Sequence, residues 1–245
     1  MIFELKNGIA YYEGRNITTL PHTHHALELI FGIGATFDFQ VGNQYFHNID
    51  SILVYPDVQH QFLGEDQTYL FIFLEPELLQ SQQIIKQTNL STLKALSLPI
   101  SITAPVLGSR ILDFSFFNTL PGLCISDERV LVSEPRIKAC LEFIKMNIWD
   151  GELRLKNIAN QVFLSESRLA HLFKQEIGLP VRRYILWCRM QAALMRLRQG
   201  QNLSQSSYAA GFSDTGHFSR SFATMFGVTP SSVFKSSKVS QFIQV

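Results

Sequence analysis

The segment PHTHHALELIFGIG, residues 21–34, holds His22, His24, His25 and Glu28 within seven positions of one another, and a further histidine, His60, follows Pro56 by four residues. Neutral imidazole nitrogens and a carboxylate brought to one point form a donor set suited to a divalent ion. Three nitrogens from His22, His24 and His60 with one oxygen from Glu28 would suit zinc, iron or nickel. The same side chains could equally line the mouth of a pocket, or hydrogen-bond at its rim, with no metal required. His25 follows His24 directly, so on an extended strand the two point to opposite faces, and His25 is given no role. His47 is read as a surface histidine.

Such residues meet only if strands hold them. From residue 1 to about 75 the hydropathy has period two. Phe37, Phe39 and Val41 alternate with Thr36, Asp38 and Gln40 before a turn at Gly42-Asn43. Further strands are expected at 2–5, 9–12, 26–31, 51–55 and 68–74. Short strands at this spacing predict a barrel or sandwich. Its interior would be lined by Phe37, Phe39, Tyr55, Phe71 and Phe73, as core in part and pocket in part. A pocket is expected at His22, His24, Glu28, Phe37, Phe39, Tyr55 and His60.

Residues 76–130 read as helical and loop-like. Leu78, Leu79, Ile84, Ile85, Leu112, Phe116 and Phe117 would form either a dimer face or a layer against the chain's own strands. A linker is expected from Pro121-Gly122 to near Ser133, which would cap a helix with Pro135 in its first turn. The buried stripe of that helix would be Ile137, Cys140, Leu141, Ile144 and Ile148.

Composition limits the classes. The chain has 245 residues, 46% of them hydrophobic, enough for two folded domains. It shows no apolar run of spanning length and no signal-peptide pattern at its start. Its three cysteines are widely spaced and fit a reducing compartment. The net charge of +1 hides a division. Residues 1–132 carry 6 Lys+Arg and 13 Asp+Glu, a balance of −7, whereas residues 133–245 carry 15 and 7, a balance of +8. A basic module for a polyanion joined to an acidic one has this signature.

The basic half contains one unit twice. Leu169-x3-Phe173-x4-Gly178 repeats as Phe218-x3-Phe222-x4-Gly227, and Leu155-x2-Ile158-Ala159-x2-Val162 as Leu203-x2-Ser206-Ser207-x2-Ala210. Each copy reads as a short helix, a turn and a second helix that stops at glycine, with proline beyond at Pro180 or Pro230. Ser165 and Asp214 stand at N-cap positions. One face of the first second-helix is apolar, at Leu169, Leu172, Phe173 and Ile177; the other presents Ser167, Arg168, His171 and Lys174. The later copy presents Thr215, Gly216, Ser219 and Arg220. Short polar and basic side chains beside a helix start suit a major groove. Between the copies, a helix from about Val181 to Gln199 would form a rod of roughly 28 Å, near the roughly 34 Å between successive major grooves on one side of DNA.

The segments LKNIANQVFLSESRLAHLFKQEIGLPVRRYILWCRM and GFSDTGHFSRSFATMFGVTPSSVF resemble the DNA-binding domain of the AraC/XylS family of bacterial transcription regulators, over about residues 134–236. His22-x-His24-x3-Glu28-x5-Gly34 and Pro56-x3-His60 are similar to the two cupin motifs, and to the cupin-like sensor domain of many proteins of that family. The resemblance implies an α+β chain of two domains: a cupin-like β-barrel with following helices, then an all-α double helix-turn-helix joined by a long helix. The expected boundaries are 1–75 for the barrel, 76–130 for a helical dimerisation or linker segment, 131–236 for the DNA-binding domain and 237–245 for a tail. Base reading would fall to Ser167, Ala170 and His171, and to Thr215, Gly216, Ser219 and Arg220, with Arg168, Lys174 and Arg182 as further contacts, largely to phosphate. The implied protein is a cytoplasmic homodimer that binds promoter DNA under control of a small-molecule effector. The resemblance further implies a regulator of activator type in contact with RNA polymerase, with no required cofactor and no enzymatic activity; a divalent metal in the barrel stays an open alternative. A metal-dependent cupin enzyme with an appended helical domain is the competing reading, and it leaves the duplicated basic unit without a task. Two positions depart from the family pattern: Ser206 stands where a branched apolar residue is usual, and Phe163 near a usual glycine.

Overall fold

The computed structural model describes residues 2–6, 8–90, 95–98, 100–102, 116–117, 134–149 and 153–234. The chain divides into two compact units, one of Met1–Arg129 with Ser221–Lys238, the other built on Val130–Arg220.

Nine antiparallel strands are described in the first unit. β1 (Ile2–Lys6), β2 (Ile9–Arg15), β8 (Thr68–Leu74), β3 (Leu27–Gly32), β6 (Ser51–Val54) and β9 (Ala95–Leu98) form one sheet in that spatial order. β5 (Gln44–Ile49), β4 (Phe37–Val41) and β7 (His60–Leu63) form the other. The connection from β2 to β3 is bridged to β7 at two isolated points, Thr18 with Leu63 and His22 with His60. The five expected strand regions are all present, and β4 turns into β5 through Gly42 at φ +56°. Between the sheets lies a core of Ile30, Phe37, Phe39, Val41, Ile52, Phe62, Tyr69 and Phe71. The outer face of the large sheet is covered in turn. Leu27, Leu29, Phe31, Leu53, Leu70 and Ile72 pack with Ile84 of α1 (Leu79–Thr88) and with Phe116 and Phe117. All six residues of β3 are therefore buried, which explains a continuous apolar run where a one-sided strand would alternate.

Two expectations change here. The stretch 76–130, read as helical and loop-like, also supplies β9, which pairs with β6 in the register Ser51 to Leu98. Phe116 and Phe117 are buried against the chain's own sheet, with the Phe116 ring 5.6 Å from that of Phe31, so the layer, not the dimer face, takes them. Leu112, Pro121, Gly122 and Ser133 lie outside the described residues.

The second unit is helical. α2 (Pro135–Met146) buries Ile137, Cys140, Leu141 and Ile144, with Ile148 just beyond it. Its N-cap is Glu134, whose side chain accepts from the Arg136 backbone N–H, with Pro135 at the first helical position. The short α3 (Leu155–Gln161) and α4 (Glu166–Ile177) form the first helix-turn-helix. α5 (Val181–Arg198) is the rod; ten of its eighteen residues are buried, on every side, as befits a helix enclosed by others. The second motif comprises α6 (Leu203–Ala209) and α7 (Thr215–Phe226); from Ser221 onward α7, and the short α8 (Pro230–Phe234), are grouped with the first unit.

Candidate sensor centre and nucleic-acid interface

The histidine and glutamate side chains do converge. Backbone pairing of His22 with His60, N–H to carbonyl at 2.9 and 3.0 Å in the two directions, sets their rings side by side with centroids 4.2 Å apart. Glu28 enters from β3, where its Cα pairs with those of Val54 and Phe73. Its Oε2 lies 3.2 Å from His24 Nε2 and 3.1 Å from His60 Nε2. Phe39 stacks on His60 at 5.4 Å, and Phe73 meets His24 edge-on at 5.4 Å. All four polar residues are buried.

The tautomers follow from fixed acceptors. His22 Nδ1 is 2.9 Å from the Leu20 carbonyl and His60 Nδ1 is 2.9 Å from the Val58 carbonyl. A carbonyl only accepts, so both Nδ1 atoms carry the proton and donate. In the neutral His22 ring Nε2 then presents a lone pair. Burial, with His60 and His24 nearby, pushes the His22 imidazole down to about 3, so it is neutral. Burial alone would favour protonated Glu28, but His24 and His60 outweigh it and hold the acid well below the usual carboxylate range. The centre thus sets imidazole nitrogens around a buried carboxylate, and His24 Nδ1 makes no hydrogen bond among the described residues. The ligand atoms of His22, His24 and His60 lie within 4.8 Å of one another. The donor set fits a divalent cation, and the backbone carbonyls behind two of the rings provide the outer support that ligating histidines need.

Of the remaining expected pocket residues, Phe39 borders this centre through its stack on His60, while Phe37 and Tyr55 contact other groups. Phe37 and Phe39 are packed between the sheets, Phe37 with its ring 4.9 Å from Phe62. Tyr55 donates its hydroxyl to the Ile85 carbonyl at 2.8 Å and accepts from the Leu90 N–H at 3.2 Å, tying α1 to the sheet. A cavity of about 430 Å³ in this unit is lined instead by Gly32, Gly34, Thr36, Asp50, Gln67 and Ser101, among others. His25, given no role from sequence, is buried between two carboxylates, Asp57 at 3.2 Å and Glu77 at 2.8 Å. Burial would lower its pKa, yet Asp57 and Glu77 outweigh that and raise it to about 9. Its partners stand 32 and 52 residues away, so no local pattern could announce the clamp. His47 is exposed and bonded to Asp38 at 2.9 Å.

In the second unit the cap residues act as expected. Ser165 Oγ accepts from the Arg168 N–H at 3.2 Å, and Asp214 Oδ1 accepts from the His217 N–H at 2.6 Å. α4 ends at Gly178, φ +88°, whose N–H bonds to the Lys174 carbonyl. Leu169, Leu172, Phe173 and Ile177 face the core, while Ser167, Arg168, His171 and Lys174 are exposed and Ala170 is half-buried. On α7, Thr215, Gly216 and Ser219 are half-buried and Arg220 is exposed, as is Arg182 at the start of the rod. A Cβ on Gly216 would stand 3.0 Å from Asp214 Oδ1 and 3.1 Å from Arg220 Nη1, so the glycine leaves room for that guanidinium along the first turn. The two departures have distinct local solutions. Phe163 itself takes the left-handed turn, φ +54°, with its side chain 96% exposed. Ser206 and Ser207 are fully buried; Ser207 Oγ bonds to the Leu203 carbonyl at 2.6 Å, whereas Ser206 Oγ has no partner among the described residues.

Comparison with known proteins agrees with this architecture. The family described as a helix-turn-helix domain matches residues 158–236. The probable transcriptional regulator LumQ of Photobacterium leiognathi is 24% identical over 185 residues, 71% of this chain and 74% of that protein. The arabinose operon regulatory protein of Escherichia coli strain K12 is 31% identical over 97 residues, and the match spans 39% of this chain and only 33% of that protein. Among solved structures, an apo ToxT variant from Vibrio cholerae strain SCE256 has the same fold, with a TM-score of 0.58 at 13% identity over 94% of this chain and 97% of that one. No described helix is long and apolar enough to cross a membrane. Residues 158–236 thus carry a helix-turn-helix domain, here two capped motifs on one rod, and the chain is similar to proteins named transcriptional regulators.

Proposed function

We propose that this regulator binds promoter DNA through the exposed faces of α4 and α7 and that its β unit senses an effector at the centre of His22, His24, His60 and Glu28. The observation that carries the DNA half is the pair of capped helices with short polar and basic outer faces, joined by one rod. Ser167, Ala170 and His171 read one major groove; Thr215, Gly216, Ser219 and Arg220 read the next; Arg168, Lys174 and Arg182 hold phosphates. Arg220 is suited to a two-pronged contact with guanine.

For the sensing half, the buried carboxylate and the imidazole nitrogens around it form a donor set for a divalent cation held by His22, His24, His60 and Glu28. A small organic effector is the other form the ligand can take; ToxT, which shares the fold, has been solved with an unsaturated fatty acid bound. The protein acts as a homodimer and as an activator in contact with RNA polymerase, in keeping with relatives named transcriptional activators.

Fluorescence polarisation of the full chain on labelled promoter duplex tests the DNA half. Affinity is expected to fall steeply with added salt as counterions are released. An absence of salt-sensitive binding even at low salt would refute it.

A further inference from the structure

In the second unit a cleft of about 570 Å³ opens between the starts of α3, α4 and α5 and the first turn of α7. Its floor is apolar. Its charged lining is Arg154, Lys156, Arg182 and Arg189, with His217, against the single carboxylate of Glu166. Four permanent cations against one anion leave the cleft strongly positive. Arg189 reaches it from the middle of the rod, and the second motif makes room for it. A Cβ on Gly211 would stand 2.9 Å from Arg189 Nε, and Gly211 has φ +79°, a backbone setting that favours glycine.

The place of this cleft matters as much as its charge. Glu166 is the first residue of α4 and His217 belongs to the first turn of α7, so the cleft lies between the starts of the two reading helices. The rod that separates them has 18 residues, about 27 Å at 1.5 Å per residue. When two helices occupy successive major grooves on one side of a duplex, a sugar-phosphate strand must cross between them. We propose that this cleft receives that strand, with Arg154, Lys156 and Arg189 as phosphate contacts beside Arg182 and His217. The assignment rests on the DNA-binding reading above and adds residues that neither motif predicts. A diester backbone fits an open, cationic cleft in which one acid is tolerated. Glu166, facing the same strand, opposes binding and sets an upper limit on affinity.

The test measures log K against log salt for the full chain on promoter duplex and on unrelated duplex. Arg154 and Lys156 are exposed, so their substitution leaves the fold intact, which a thermal melt checks. Arg154→Ala and Lys156→Ala are each expected to lower the magnitude of the slope by about 0.9 and to weaken both duplexes alike, since phosphate contacts carry no sequence information. Glu166→Gln is expected to tighten both. Lys86→Ala, on α1 of the other unit, is the control and leaves the slope unchanged. If the native chain binds DNA with salt sensitivity while Arg154→Ala and Lys156→Ala keep its slope, this assignment is overturned and the DNA-binding reading stands. If the native chain binds neither duplex, both fall.

Discussion

Replacing Phe163 by glycine should stabilise the protein although it deletes a large apolar side chain. Phe163 sits in the turn of the first motif at φ +54°. A left-handed conformation costs an L-residue about 1–2 kcal/mol, and glycine carries no such penalty. The side chain is 96% exposed, so removing it forfeits almost no burial. The turn's hydrogen bonds, Phe163 N–H to the Asn160 carbonyl at 3.2 Å and Leu164 N–H to the Ala159 carbonyl at 3.0 Å, are made by the backbone and survive. Against the gain stands the greater freedom of glycine in the unfolded chain, about 0.5–1 kcal/mol. The net expectation is about 0.5–1 kcal/mol in favour of Phe163→Gly. For a cooperative unit of under 100 residues, that raises the melting temperature by about 2–8 °C. Calorimetry of the full chain reads it from the transition of the helical unit. Phe163→Ala serves as the control: it retains the left-handed cost and loses the same ring, so it should shift stability by less than about 0.5 kcal/mol. A lower melting temperature for Phe163→Gly would mean that the ring makes stabilising contacts despite its exposure, and the strain reasoning would fail.

Three further outcomes follow from single atoms. Ser206→Ala removes a buried hydroxyl that has no partner among the described residues, and should raise the urea midpoint by an amount worth about 1 kcal/mol; Ser207→Ala, which gives up a bond to the Leu203 carbonyl, should bring no such gain. Ser165→Ala removes the cap of α4 and should cost about 1 kcal/mol, with looser promoter binding in the polarisation assay, while Ser165→Asp, another good cap, should restore stability. Dialysis of the full chain against zinc or nickel, followed by elemental analysis, should find one ion per chain. His60→Ala or Glu28→Gln should weaken retention by more than about tenfold, and equal retention by the native chain and both variants would exclude the centre as the binding site.

What could be read from sequence and what could not divide along the range of the interactions. α4 is set by neighbours three and four residues apart, with Ser165 before it and Gly178 after it, and those signals survive in any window. β9 is four residues long, Ala-Leu-Ser-Leu, and exists as a strand through its pairing with β6, more than forty residues away; no pattern inside it distinguishes it from a loop. The first cap of α2 shows the same limit on a smaller scale. Serine is the better capping residue by type, yet the side chain that accepts the Arg136 N–H is that of Glu134, because Pro135 occupies the first helical position and fixes where the helix begins.

The sensor centre combines both cases. That His22, His24, Glu28 and His60 would meet was legible from the likeness of their spacing to the two cupin motifs, although His22 and His24 lie before β3 rather than on it. Which nitrogen of each ring faces inward was not. It is decided by the carbonyls of Leu20 and Val58, placed by the bridge between His22 and His60. Residue types in a motif therefore name the groups that could bind a cation, whereas the long-range pairing of their backbones decides whether lone pairs or protons point at it. The same reasoning separates His24 from His25. They are adjacent and chemically identical, yet one faces Glu28 beside two other histidines, and the other is held between Asp57 and Glu77 as a charged structural clamp.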